Sequence, residues 1–191
     1  MASYDNDHIE ALQNDYAELI RAFNPDIVKI EPVQASIDMM CKLKVTVTSP
    51  DRPSYVLANS AGKGPKQSQS IVFFIDVPAG YPAAKPDVYY QEGGYLAHVN
   101  AFRHGAQCTD TWKPYSSLLS IAEKTIKAII YVPEVVRYDS MANSDLRDWQ
   151  KDKTASGEFP LFSPELIYAR YKKHTSLPVV SARVFRPLPA R

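Results

Sequence analysis

The chain of 191 residues holds two cysteines, Cys41 and Cys108, which sit in opposite kinds of sequence. Cys41 belongs to the alternation Cys41, Leu43, Val45, Val47, so it shares a strand face with three apolar side chains and reads as a buried thiol. Cys108 has no such pattern to explain it. It lies in the run His98-Val99-Asn100-Ala101-Phe102-Arg103-His104-Gly105-Ala106-Gln107-Cys108-Thr109-Asp110-Thr111-Trp112-Lys113-Pro114, which shows neither strand nor helix periodicity. Long loops of this kind inside compact domains commonly carry function. A thiol placed there can attack acyl groups. Asn100, eight residues before Cys108, offers a carboxamide donor of the type that receives charge developing on a carbonyl oxygen. Its other reading is a turn-forming Asn bonded to local backbone. Asp110 either orients an incoming amine or caps the turn. His98 and His104 raise a different chemistry, a Cys–His pair of the kind that serves a cysteine peptidase or acyltransferase.

The composition narrows the classes. With 22 basic and 21 acidic residues the net charge is +1, which argues against a general polyanion binder and against nucleic acid as a partner. No stretch approaches 18 consecutive apolar residues; Ile71-Val72-Phe73-Phe74-Ile75 is strand-sized, so no membrane span is expected. Asp5, Asp7 and Glu10 stand where a secretory leader would carry Lys or Arg. Two thiols without such a leader fit a reducing compartment, and a cytoplasmic location is the expectation. Four histidines and two cysteines without tight ligand spacing predict no metal site, and no cofactor is implied.

The elements that must position Cys108 are legible as periodicities. Ile9, Leu12, Tyr16, Leu19, Ile20 and Phe23 recur at helical steps, with N-capping side chains in Asp5-Asn6-Asp7 and a stop at Asn24-Pro25. Strands follow at Ile27–Ile30, Ile37–Thr48, Ser70–Val77 and Val88–Tyr90, with Asn59–Ser70 read as a loop. The proline-rich Val77–Pro86 segment has to cross the surface as a fixed, extended loop. Leu118, Leu119, Ala122, Ile126 and Ile129 or Ile130 mark a second helix ended by Pro133, and Ser144–Lys153 a third. Short connections between strands predict an antiparallel meander of about four strands, hence an α+β fold with C-terminal helices. Residues 158–191 hold six basic against two acidic side chains and several aromatics. They are expected to form an extension to a 1–157 domain: one helix over Pro164–Lys173, docked, and an extended end from Thr175.

In this order of motifs the chain resembles the ubiquitin-conjugating enzymes. The family signature is His-Pro-Asn, a Cys eight residues after the Asn, and Trp-Ser-Pro before a helix; here the counterparts are His98-Val99-Asn100, Cys108 and Trp112-Lys113-Pro114. The family's Tyr-Pro-x-x-x-Pro loop appears as Tyr81-Pro82-Ala83-Ala84-Lys85-Pro86, after a strand as it should be. The match covers roughly residues 5–150. Two departures stand out: Val99 replaces the central proline, and Trp112 follows Cys108 by only four residues.

The resemblance implies that Cys108 carries a ubiquitin-like modifier as a thioester, received from an activating enzyme and passed to an amine of a target protein. It implies that Asn100 stabilises the oxyanion, that His98 holds the loop by hydrogen bonds, and that an acidic residue stands near the acceptor lysine, for which Asp139 is the candidate. Tyr81, Pro82, Pro86 and Trp112 are implied to fix the surrounding loops, with Tyr81 and Pro82 bordering a partner surface. The divergence and the C-terminal extension resemble the conjugation systems encoded in bacterial operons, some of them linked to phage defence. Two alternatives stand beside this reading. One is a non-catalytic module of the same fold that binds ubiquitin-like proteins; the other is the cysteine peptidase or acyltransferase, which requires His98 or His104 to hydrogen-bond the Cys108 sulfur.

Overall fold

The computed structural model describes residues 6–33, 39–58, 64–91, 94–109, 111–113 and 116–169. Helix α1 (Asn6–Ala22) turns Leu12, Leu19 and, just beyond its end, Phe23 inward, all at 2% exposure or less. Each such side chain contributes about 1.5–3 kcal/mol of burial.

Four antiparallel strands receive that face: β1 (Val28–Val33), β2 (Met39–Thr48), β5 (Ser70–Pro78) and β6 (Asp87–Tyr90), in the order β1-β2-β5-β6. The register sets Leu43 against Ile75, Val45 against Phe73, and Ile75 against Val88. The period-two pattern thus lands one apolar face on the helices. The other face carries cross-strand polar and aromatic pairs: the Phe74 and Tyr89 rings stack at 5.4 Å and the Lys42 ammonium lies 4.7 and 4.8 Å from them. The meander expected from the sequence is the sheet observed.

A second sheet was not expected. Strands β3 (Ser54–Ala58) and β4 (Lys66–Ser68) form a hairpin inserted between β2 and β5, and β3 also pairs with β7 (Gly94–Leu96). The part of Asn59–Ser70 read as a loop therefore includes β4. Three residues, Lys-Gln-Ser in β4 and Gly-Tyr-Leu in β7, are too few to show a period.

Helix α2 (Leu118–Ile129) starts at a capping box in which Ser117 and Ser120 satisfy each other's backbone N–H groups, and it packs on α1. The residue after its C-cap, Tyr131, has φ +60°, a strained value for a ring-bearing residue. It is held there by burial: the hydroxyl donates to Ala97 O at 2.9 Å and the ring stacks on Phe159 at 3.8 Å. Helix α3 (Arg147–Ala155) follows a 3-10 turn at Ser144–Leu146, matching the third helix read from the sequence.

Of the helix expected over Pro164–Lys173, the described part is corrected to a single 3-10 turn, Pro164–Ile167, followed by extended Tyr168, and residues 170–173 lie outside the described residues. The backbone groups that would have continued the helix instead bind the end of α1: Asn24 N–H donates to Ile167 O at 2.8 Å and Ala169 N–H to Ala22 O at 2.9 Å. Phe159, Leu161, Phe162 and Ile167 are buried in the common core. The extended end expected from Thr175 lies outside the described residues. No helix among the described residues is long and apolar enough to cross a membrane.

Candidate active site

The segment from His98 to Cys108 forms no helix, yet its backbone is closely paired. Phe102 N–H donates to Ala106 O at 2.8 Å and Gly105 N–H to Phe102 O at 2.9 Å, closing a turn in which Gly105 has φ +93°. Only glycine takes that value without steric cost. Ala101 bridges Gln107, and Cys108 N–H donates to Asn100 O at 2.9 Å, so the thiol and the carboxamide sit on opposite legs of one loop. The outer leg is zipped to the free edge of β6: Tyr90 N–H donates to Gly105 O at 2.8 Å and Gln107 N–H to Val88 O at 2.9 Å. This pairing covers a sheet edge and fixes the height of Cys108 above it.

Cys108 is partly exposed and lines an open groove of about 440 Å³ together with Lys85, Val88, Tyr89, Phe102 and Thr109. Lys85 reaches across with Nζ 3.4 Å from Thr109 O, bracing the residue after the thiol. Cys41 is the opposite case, at 2% exposure. Burial, aided by the Asp76 carboxylate, pushes its thiol up to about 12, so it stays protonated at neutral pH.

Asn100 is 3% exposed and its carboxamide is fully engaged. Oδ1 accepts Arg137 N–H at 2.9 Å, while Nδ2 donates to Arg137 O at 3.1 Å and to Ser140 O at 3.2 Å. The amide therefore pins the 137–140 loop against the cysteine loop. Asp139 rides on that pinned loop, exposed, with an oxygen 3.3 Å from Arg137 Nε. The Arg137 guanidinium and nearby backbone N–H groups hold its carboxyl below the usual range.

His98 is sealed. Its Nδ1 accepts Asn100 N–H at 3.1 Å, which leaves the ring proton on Nε2, and the ring lies 5.5 Å from that of Tyr131. Burial lowers its pKa to about 3. His104 is exposed and stacks on Phe102 at 5.2 Å. Among the described residues neither imidazole hydrogen-bonds the Cys108 sulfur, so the pair required by the peptidase alternative is not formed. Nor do the described residues contain a cluster of His, Cys, Asp and Glu able to hold a metal ion.

The sign of the His98 shift gives a pH prediction. A folded pKa near 3 against 6.5 unfolded contributes stability that is complete above pH 6.5 and lost as pH falls through 3. His98→Asn keeps an acceptor for Asn100 N–H but cannot titrate in that window. Melting temperature measured from pH 7 to 3.5 is expected to fall more steeply for the native chain than for this variant; parallel curves would refute the assignment.

The flanking loops are tied to α1 and to the start of α2. Trp112 Nε1 donates to Pro82 O at 2.7 Å and its ring lies 5.9 Å from Tyr81. Tyr81 is fully buried and its hydroxyl donates to Asp15 of α1, whose same oxygen receives Leu118 N–H at 3.4 Å. One carboxylate thus ties α1, the proline loop and the start of α2 together. Pro82 is exposed and Pro86 buried. Tyr81 consequently presents no side-chain surface to a partner, and of the two residues expected at that border only Pro82 is exposed. Asp110 and Pro114 lie outside the described residues.

No protein-family model matches the chain, and no curated protein sequence does. Solved structures do: 117 chains are similar. One is the ubiquitin-conjugating enzyme Ubc12 of S. cerevisiae, with a TM-score of 0.50 over 76% of this chain and 70% of that one, at 21% identity. The fold is that of the ubiquitin-conjugating enzymes.

Within this ubiquitin-conjugating fold several residues of the site escaped the sequence reading. Arg137 and Ser140 act through backbone atoms, which no side-chain motif announces. Asp15 stands on an amphipathic helix with nothing in the neighbouring sequence to mark its two partners. Gln150 had a faint signal: Val99, unlike proline, has a buried N–H that needs an acceptor somewhere.

Proposed function

We propose that the chain is a conjugating transferase for a ubiquitin-like protein, working through a Cys108 thioester. The Cys108 thiolate attacks the thioester carbonyl that joins the modifier's C-terminus to an activating enzyme. The C–S bond to that enzyme breaks, its thiol leaves with a proton, and the modifier is carried on Cys108. An amine of the target protein then attacks the same carbonyl, forming an amide and releasing the Cys108 thiol. Thioester exchange is nearly balanced, whereas aminolysis is downhill and needs only modest help. Asn100 and the Asp139 loop supply that help in this reading: Asn100 by bracing and polarity beside the thiol, Asp139 by attracting the incoming ammonium, with Asp110 and His98 in supporting parts.

The observation that carries the proposal is a partly exposed thiol on a backbone-locked loop at the mouth of a groove, in a ubiquitin-conjugating fold. As finer parts of the same reading, the protein acts in the cytoplasm within a bacterial conjugation operon serving antiphage defence, and residues 158–191 form an extension to the catalytic domain. A gene neighbourhood holding an activating enzyme and a ubiquitin-like protein supports the operon assignment; a neighbourhood with neither removes it.

The central test mixes the protein with its cognate activating enzyme, ATP and modifier. A covalent adduct that thiol reductant cleaves is expected within minutes; no adduct with an active activating enzyme rejects the proposal.

A further inference from the structure

Val99 is gripped at both ends of its peptide unit by the C-terminal third of the chain. Its N–H donates to Oε1 of Gln150 at 3.0 Å, and its carbonyl accepts Asn143 N–H at 2.9 Å. Val99 and Gln150 are both fully buried. Helix α3 is strongly polar, and Gln150 is its one fully buried residue. Sinking an amide instead of an apolar side chain is costly unless it is hydrogen-bonded, and the Val99 N–H satisfies the oxygen of this one. The next residue, Asn100, accepts Cys108 N–H at 2.9 Å. A short path therefore runs from Gln150 through Val99 and Asn100 to the backbone of Cys108.

The residue at this position in the resembled signature is proline, which has no N–H and a fixed φ. Valine has neither property: its φ is free and its N–H, once buried, demands an acceptor. Gln150 supplies the acceptor and with it the constraint.

We propose that Gln150 is a positioning residue for Cys108, replacing by a hydrogen bond from α3 the backbone constraint that valine lacks. The inference rests on the reading of Cys108 as the acyl carrier, but its test does not. The four chains to compare are the native protein, Gln150→Met, Val99→Pro, and the double variant. Methionine matches glutamine in length and removes the acceptor. Two readouts need no modifier: amide hydrogen exchange at Cys108, and the rate of Cys108 alkylation by iodoacetamide. Gln150→Met leaves the Val99 N–H buried and unpaired; it is expected to speed exchange at both Val99 and Cys108 about tenfold and to shift the alkylation rate at least about threefold. Val99→Pro alone strands the Gln150 oxygen and is also expected to perturb both. The double variant removes both partners and is expected to return Cys108 exchange and alkylation to within about twofold of native.

Two results would overturn the proposal. One is Gln150→Met that accelerates exchange at Val99 while leaving Cys108 exchange and alkylation at native rates. The other is a double variant no closer to native than Gln150→Met. Should Gln150→Met fail to fold, Gln150→Glu keeps the acceptor oxygen: Cys108 alkylation within about twofold of native in that folded chain supports the proposal, and a shift of at least about threefold refutes it. Failure of the thioester reading alone shows as normal coupling here with no modifier adduct.

Discussion

Cys108→Ala is expected to form no modifier adduct, and Cys108→Ser to form one that thiol reductant no longer cleaves. The first follows because the chain's other thiol is not available. Cys41 is 2% exposed and its thiol is pushed up to about 12. At pH 7.5 that thiol stays protonated, and it is shut in the core. The second follows from bond type. A serine hydroxyl occupies the place of the thiol, and the ester it forms has an oxygen in place of sulfur, which does not exchange readily with thiols. Charging through serine is also expected to be slower by on the order of 10³ or more, because the hydroxyl stays protonated where, among the described residues, no base hydrogen-bonds it. The burial of Cys41 also fixes the labelling stoichiometry. Native protein at neutral pH takes one equivalent of iodoacetamide, at Cys108; Cys108→Ala takes none until it is unfolded, when Cys41 reacts. Mass spectrometry of labelled peptides decides both. An adduct of native amount on Cys108→Ala refutes the thioester assignment outright.

The parts of this fold that announce themselves are those with a period. Leu12, Leu19 and Phe23 repeat at helical steps and bury one face, and Ile71, Phe73, Ile75 and Val77 alternate and bury the other. Such patterns are legible because many residues vote for one orientation. Strands β4 and β7, three residues each, cast too few votes, and they exist because β3 offers them a partner. Tertiary pairing, not local preference, decided them. The Pro164–Ile167 turn shows the same effect in reverse. An apolar helix-like sequence was cut short because its carbonyls and N–H groups found the end of α1.

The site divides in the same way. Cys108 and Asn100 stand out in the sequence because their types are chemically pointed and their spacing is unusual for a core strand, and the structure puts both on one loop. His98 was legible as a loop-holding residue through the resemblance, and its sealed, neutral ring has a structural partner in Asn100 N–H. What stayed hidden are contacts that cross long sequence distances to reach backbone atoms. Asn100 meets Arg137 and Ser140 across 37 and 40 residues, and Val99 meets Gln150 across 51. A backbone carbonyl carries no residue signature, so no motif in the neighbourhood of Arg137 or Ser140 marks the place where Asn100 will land.

That crossing makes Asn100 the second large effect. Asn100→Ala deletes the acceptor of Arg137 N–H and the donors to Arg137 O and Ser140 O. At about 1 kcal/mol per neutral bond, more where a partner is left buried, the loss is about 2–4 kcal/mol. For a chain of this size that lowers the melting temperature by roughly 5–15 °C. The 137–140 loop is then released, and Asp139 with it. Discharge of a preformed Cys108 thioester to free lysine is expected to slow by on the order of 10²–10³, the usual consequence of removing one donor at a developing oxyanion. The carboxamide has two N–H bonds and both are already given to carbonyls, so a direct role requires one of them to be shared with the oxyanion. Asn100→Asp separates bracing from donation. It keeps an oxygen for Arg137 N–H but turns its second oxygen toward two carbonyls, a repulsive arrangement that protonation relieves. Its discharge rate is expected to stay low at pH 8 and its thermal stability to recover as the pH falls. If Asn100→Ala melts early yet discharges its thioester at the native rate, the amide only braces the loop, and the oxyanion must be met by another donor.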